Sequence, residues 1–76
     1  MISIPDLIQL VKDKIPDAEV NAMDKTGMSD HFIIHVVSQE FEGKDLMERH
    51  RLVQGCLADA MKDGRVHAAE IKTDVP

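Results

Sequence analysis

HFIIHVVS, residues 31 to 38, is the segment around which the chain organises. Its β-branched and aromatic residues predict a strand, with Phe32, Ile34 and Val36 on one face and Ile33, His35 and Val37 on the other. Apolar side chains on both faces predict a strand covered largely on both sides. Just upstream, KTGMSD (25 to 30) is turn-like, with Gly27 free to take positive φ. DAEVNAMD (17 to 24) reads as a weaker strand with Ala18, Val20 and Ala22 on one side, and the two strands form a hairpin. Further upstream, SIPDLIQLVKDKI (3 to 15) predicts a helix. Ser3 caps it, Asp6 completes an acidic variant of the capping box, and Pro5 sits in the first turn. Ile4, Leu7, Ile8, Val11 and Ile15 form its apolar stripe, and Pro16 stops it.

Downstream, QEFEGK bends around Gly43, and a long helix follows from Lys44 to Asp63, ended by Gly64. Leu46, His50, Val53, Leu57 and Met61 fall at helical spacing and predict its inward stripe. Arg49 and Arg51 lie about 100° to either side of His50 and flank that stripe toward solvent. VHAAEIKT (66 to 73) is the third strand. The order α-β-β-α-β predicts an α+β fold with a three-stranded mixed sheet and both helices on one face. The long helix allows parallel pairing of strands two and three through a right-handed crossover.

Seventy-six residues predict a single domain, 1 to 76, with one thin core. The formal charge is −5, which opposes the phosphate neutralisation that drives most nucleic-acid binding. With no Trp or Tyr, only Phe32 and Phe41 are available for stacking, and both read as core residues. No apolar run nears the roughly 18 residues of a membrane span, and MISIPDLIQL lacks the features of a secretory signal. One cysteine excludes an internal disulfide and predicts a reducing compartment, the cytoplasm.

Paired catalytic carboxylates, a Ser-His-Asp set, a phosphate-cradling glycine loop and Cys-x-x-Cys are all missing, so no enzyme is predicted. No two histidines show the spacing of a self-contained zinc site, so the isolated chain should hold metal weakly. His50 reads as a core histidine with a hydrogen-bond partner, and His35 as structural or facing the open side of the sheet. Cys56, among Val53, Leu57 and Ala60, reads as a small hydrophobe. Lys44, Arg49 and Arg51 offer a basic surface for a partner, for glutathione carboxylates or for DNA phosphates. The alternative is a solvated helix face paired with Glu42, Asp45 and Glu48.

EFEGKDLMERHRLV, the helical LADAM and VHAAEIKT together resemble the BolA-like family, over Ile4 to Thr73. The short loop around Gly27 resembles the compact-loop branch. The resemblance implies a class II KH-like fold and a monothiol glutaredoxin partner bearing Cys-Gly-Phe-Ser. It also implies a 2Fe–2S cluster shared with that partner and glutathione, for iron-sulfur trafficking or iron and redox regulation, with no cofactor on the isolated monomer. Transcriptional regulation through DNA binding is the alternative the family suggests, although the Gly-x-x-Gly loop of true KH domains is missing. His67, in the Val-His-Ala motif, is the implied metal ligand. The second ligand comes from the loop between the first two strands, where other members carry Cys or His and this chain has Met28. A thioether suits iron poorly, and His31 is the nearest stronger donor. Many members continue into a short last helix beyond the position of Pro76, so that helix is expected to be absent or trimmed.

Overall fold

A computed structural model describes residues 2 to 28 and 31 to 76. Five regular elements follow the expected order: α1 (Ile4–Lys14), β1 (Glu19–Asp24), β2 (His31–Val37), α2 (Leu46–Lys62) and β3 (Ala68–Asp74). A short 3-10 turn, Gln39–Phe41, links β2 to α2. The sheet is mixed and β2 is its middle strand, antiparallel to β1 and parallel to β3.

Local chemistry sets the boundaries. Ser3 caps α1, its Oγ accepting from the Asp6 N–H at 3.2 Å, and Pro5 occupies the first turn, where a missing N–H is harmless. Asp45 caps α2 by accepting from the Glu48 N–H at 2.8 Å. That cap starts α2 two residues later than the sequence predicts. At its other end Gly64 takes φ 85°, a left-handed conformation that ends the helix.

One face of the sheet carries the core. Phe32, Ile34 and Val36 are buried there against Leu7, Val11 and Ile15 of α1 and Val53, Cys56, Leu57 and Ala60 of α2. Both helices therefore cover the same face. The opposite face, with Ile33, His35 and Val37, is covered by no helix among the described residues, and these side chains are only half-buried. The expectation that β2 is covered on both sides is thus corrected. Side chains on the flanking strands give the open face partial shelter, and that explains its apolar residues.

The inward stripe of α2 also differs from expectation. Val53 and Leu57 are buried, but Leu46 is 75% exposed and Met61 39% exposed, while Cys56 and Ala60 enter the core. Helix α2 has 17 residues and α1 only 11. At 1.5 Å per residue the longer helix outruns its neighbour by roughly 9 Å, so apolar residues at its two ends are left outside the core. Small Cys56 and Ala60 suit the close central approach. Leu57→Ala should therefore cost about 2–5 kcal/mol. Leu46→Ala should stay within about 0.5 kcal/mol of the parent. Urea unfolding followed by circular dichroism measures both, and similar losses at the two positions would restore the predicted stripe.

A polar clamp fixes the entry to α2. Ser38, fully buried, donates from Oγ to Asp17 Oδ1 at 2.7 Å and accepts from the Glu40 N–H at 3.0 Å. The Gln39 N–H donates to Asp17 Oδ2 at 2.9 Å. The Ser38 hydroxyl first, then the Gln39 amide, holds the Asp17 carboxyl below its ordinary 3.8. A depressed carboxylate stabilises the fold above the unfolded value, and that contribution is lost as pH falls through the folded value. Asp17→Asn should thus lower the urea midpoint at pH 7, with the gap from the parent closing below about pH 3.8. A gap that persists unchanged into acid would assign the effect to something other than the carboxylate.

Candidate functional site: the histidine end of the sheet

The parallel register of β2 and β3 builds the site. His31 pairs with Ala68, so the two strands begin side by side. His67 directly precedes Ala68 and is exposed. With strands about 4.8 Å apart and successive Cα atoms 3.8 Å apart, the His31 and His67 Cα atoms lie within about 9 Å. Residues separated by 36 positions thus meet at one end of the sheet. His31 is half-buried, and its place in β2 puts it on the same face as Ile33 and His35, away from the helices.

His67 is positioned from both sides. The Val66 N–H donates to the Ala60 carbonyl at 3.0 Å, and the Val66 side chain is buried in the core. This anchor fixes the return from α2 and leaves the next residue at the surface. Strand β3 begins at Ala68, two residues later than the sequence predicts, so His67 lies in the bend before the strand rather than within it.

The β1–β2 loop is organised as tightly. Asp24 Oδ1 accepts from the N–H groups of Thr26 at 3.2 Å and Gly27 at 2.9 Å. Thr26 Oγ1 accepts from the Met28 N–H at 3.2 Å, and the Lys25 N–H donates to the His31 carbonyl at 2.8 Å. Gly27 takes φ 78°, as its sequence context predicts. Ser29 and Asp30 of the predicted loop lie outside the described residues. Met28 is 68% exposed.

Two ion pairs border the histidines. Lys25 Nζ reaches Glu70 Oε1 on β3 at 3.0 Å, and Arg65 Nε meets Asp63 Oδ2 at 2.8 Å. The Arg65 backbone N–H, with its guanidinium adding, holds the Asp63 carboxyl below its ordinary 3.8. Local positive charge is therefore neutralised, and the imidazoles remain as donors. Among the described residues no three His, Cys, Asp or Glu side chains converge as a metal-ion site. Two imidazoles at one end of the sheet are too few for a closed four-ligand metal site.

The remaining candidates lie elsewhere. Because α2 returns the chain from the end of β2 to the start of β3, its first turn sits at the opposite end of the sheet from His31 and His67. Arg49 closes that turn and Arg51 follows in the next, with Lys44 just before the helix. Lys44 Nζ donates to the Glu40 carbonyl at 2.7 Å, and Arg49 Nε to the Lys44 carbonyl at 2.8 Å. Arg49 is half-buried and only Arg51 stands fully out, so the even flanking of His50 by two solvated arginines is corrected. The cause is the hydrogen bond from Arg49 Nε to the Lys44 carbonyl just ahead of the helix, which draws the guanidinium inward. His50 itself lines a groove of about 360 Å³ with Leu46, Ile71, Lys72 and Thr73, and does not enter the core. His35 lies on the open face with Nε2 2.7 Å from Asp74 Oδ2. Cys56 is buried, its Sγ 3.4 Å from the Leu52 carbonyl, and burial pushes its thiol above the ordinary 9.0.

Comparison with known proteins agrees with this architecture. A family model described as BolA-like protein matches residues 8–76. Protein BOLA2 of Arabidopsis thaliana is 48% identical over 46 residues, which cover 60% of this chain and 47% of that protein. The chain spans about half the length of curated relatives such as this one. Among solved structures, a bol-like protein from Babesia bovis superposes with a TM-score of 0.84 at 30% identity, covering 100% of this chain and 87% of the other. The BolA domain of SufE1 from Arabidopsis thaliana gives a TM-score of 0.83 at 26% identity, covering 100% and 96%.

Proposed function

The chain belongs to the BolA-like family, and from this we infer that it is an accessory protein that shares a 2Fe–2S cluster with a monothiol glutaredoxin. The cluster is cargo in iron-sulfur trafficking or a signal in iron and redox regulation, and the chain is not itself an enzyme. The observation that carries the reading is the His31–Ala68 register, which sets exposed His67 beside His31 at one end of the sheet. Four protein or thiol donors complete a 2Fe–2S cluster, and imidazoles replace thiolates at one iron in some clusters. His67 and His31 would supply two nitrogens. The partner's cysteine and a glutathione thiolate would supply two sulfurs. His67 is held in place by the Val66 anchor, and His31 by the loop closure at Lys25.

The test is direct mixing. Adding the chain to a cluster-loaded monothiol glutaredoxin should change the visible absorption and circular dichroism, because nitrogen replaces sulfur at an iron. An unchanged spectrum at equimolar and excess chain would remove the shared-cluster reading. The DNA-binding alternative gains no observation. Lys44 and Arg49 are engaged with backbone carbonyls, and the chain carries a net charge of −5.

A further inference from the structure

We propose that two copies of this chain pair through the free edge of β3, antiparallel and centred on Ile71, into one continuous sheet. The strand order β1-β2-β3 leaves β3 at the border of the sheet. The Asp74 carbonyl accepts from the Ser38 N–H at 3.1 Å and so points toward β2. Backbone groups alternate in direction along a strand. Those of Glu70 and Lys72 therefore also face β2, and those of Ala69, Ile71 and Thr73 face outward. The groove of about 360 Å³ opens on this border: Ile71 and Thr73 line it from the core face of the strand, Lys72 from the open face, and Leu46 and His50 from α2. Leu46 is 75% exposed, so the border is apolar as well as unpaired, and such a border accepts an added strand.

The charge pattern selects a second copy as the occupant. A lysine on an edge strand normally discourages pairing. In AAEIKTD, however, Ile71 stands midway between Glu70 and Lys72. Antiparallel pairing about Ile71 sets Glu70 against the second copy's Lys72, and Lys72 against its Glu70. Both side chains are exposed, and these are the non-hydrogen-bonded positions, where opposed side chains approach most closely. Lys25 already holds Glu70 through Oε1 at 3.0 Å, so the incoming lysine meets a carboxylate fixed in place. Ile71 meets its own counterpart, and Ala69 meets Thr73, as pairs that exchange both N–H···O=C bonds. The other border offers no such match. Strand β1 reads EVNAMD, and its antiparallel self-pairing sets Glu19 against Asp24. A two-fold axis relates the copies and uses both β3 borders, so association closes at the dimer.

The pairing uses neither His31 nor His67 and needs no glutaredoxin, so it stands or falls apart from the shared cluster. The experiment is sedimentation velocity with interference optics over about 10 μM to 1 mM chain, which covers dissociation constants up to the millimolar range. The sedimentation coefficient should rise with concentration toward that of a dimer. Glu70→Lys and Lys72→Glu should each weaken association about tenfold or more, because both symmetry-related ion pairs become like-charge contacts. An equimolar mixture of the two variants restores opposite charges at both contacts and should associate like the parent. Both positions are exposed, so each variant keeps the parent's urea midpoint. In amide hydrogen exchange, the Ile71 and Thr73 N–H groups should gain protection as concentration rises. A chain that stays monomeric throughout, variants that associate like the parent, a mixture no stronger than its components, or new protection at β1 in place of β3 would each overturn the pairing.

Discussion

Phe32→Ala is expected to bring the chain to the edge of unfolding. Phe32 is 1% exposed at the centre of the core face of the middle strand, where both helices converge. Removing a buried phenylalanine costs about 3–5 kcal/mol, the lost transfer energy plus the cavity left behind. A chain of 76 residues has about 4–11 kcal/mol in all. The variant should therefore unfold at much lower urea than the parent, read by far-ultraviolet circular dichroism because the chain has no tryptophan. Phe32→Leu keeps most of the volume and should lose less than half as much. A midpoint for Phe32→Ala near the parent's would mean that the core does not centre on β2.

The second large effect is functional. His67→Ala should abolish the change that the chain produces in the visible circular dichroism of a cluster-loaded glutaredoxin. The side chain is exposed, so its removal leaves the urea midpoint unchanged and separates loss of a ligand from loss of fold. His31→Ala should weaken the response without abolishing it, since the exposed imidazole of His67 remains to reach the cluster while His31 is half-buried. His50→Ala is the internal control, because that imidazole sits in the groove with Leu46 and Thr73 at the far end of the sheet. A His50→Ala response as damaged as that of His67→Ala would move the site away from the starts of β2 and β3.

Much of the fold was legible in local patterns. Ser3 and Pro5 announce α1, the β-branched run 31 to 37 announces β2, and glycine marks both ends of the α2 connection. Where the pattern misled, the cause was tertiary. Helical spacing on α2 selects Leu46 and Met61, but nothing in the spacing says that α1 is too short to cover them. Alternation in β2 cannot tell a covered second face from one sheltered only by neighbouring strands. The site was half legible. His67 was reached through resemblance to a family, while its meeting with His31 depends on the register of two strands far apart in the chain. The separation of Lys44, Arg49 and Arg51 from the histidines follows from the return path of α2 and has no local signal. The Asp17–Ser38 clamp was missed because a lone Asp after a helix-ending proline looks like any turn residue.

In the proposed shared cluster an imidazole of this chain binds iron and another molecule completes the site. Pulsed electron paramagnetic resonance of the reduced, mixed complex tests it most directly, with the chain's histidines labelled with ¹⁵N and the glutaredoxin unlabelled. A strong ¹⁵N coupling that disappears in His67→Ala is the predicted result. A spectrum without that coupling, or one in which it survives the substitution, contradicts the account.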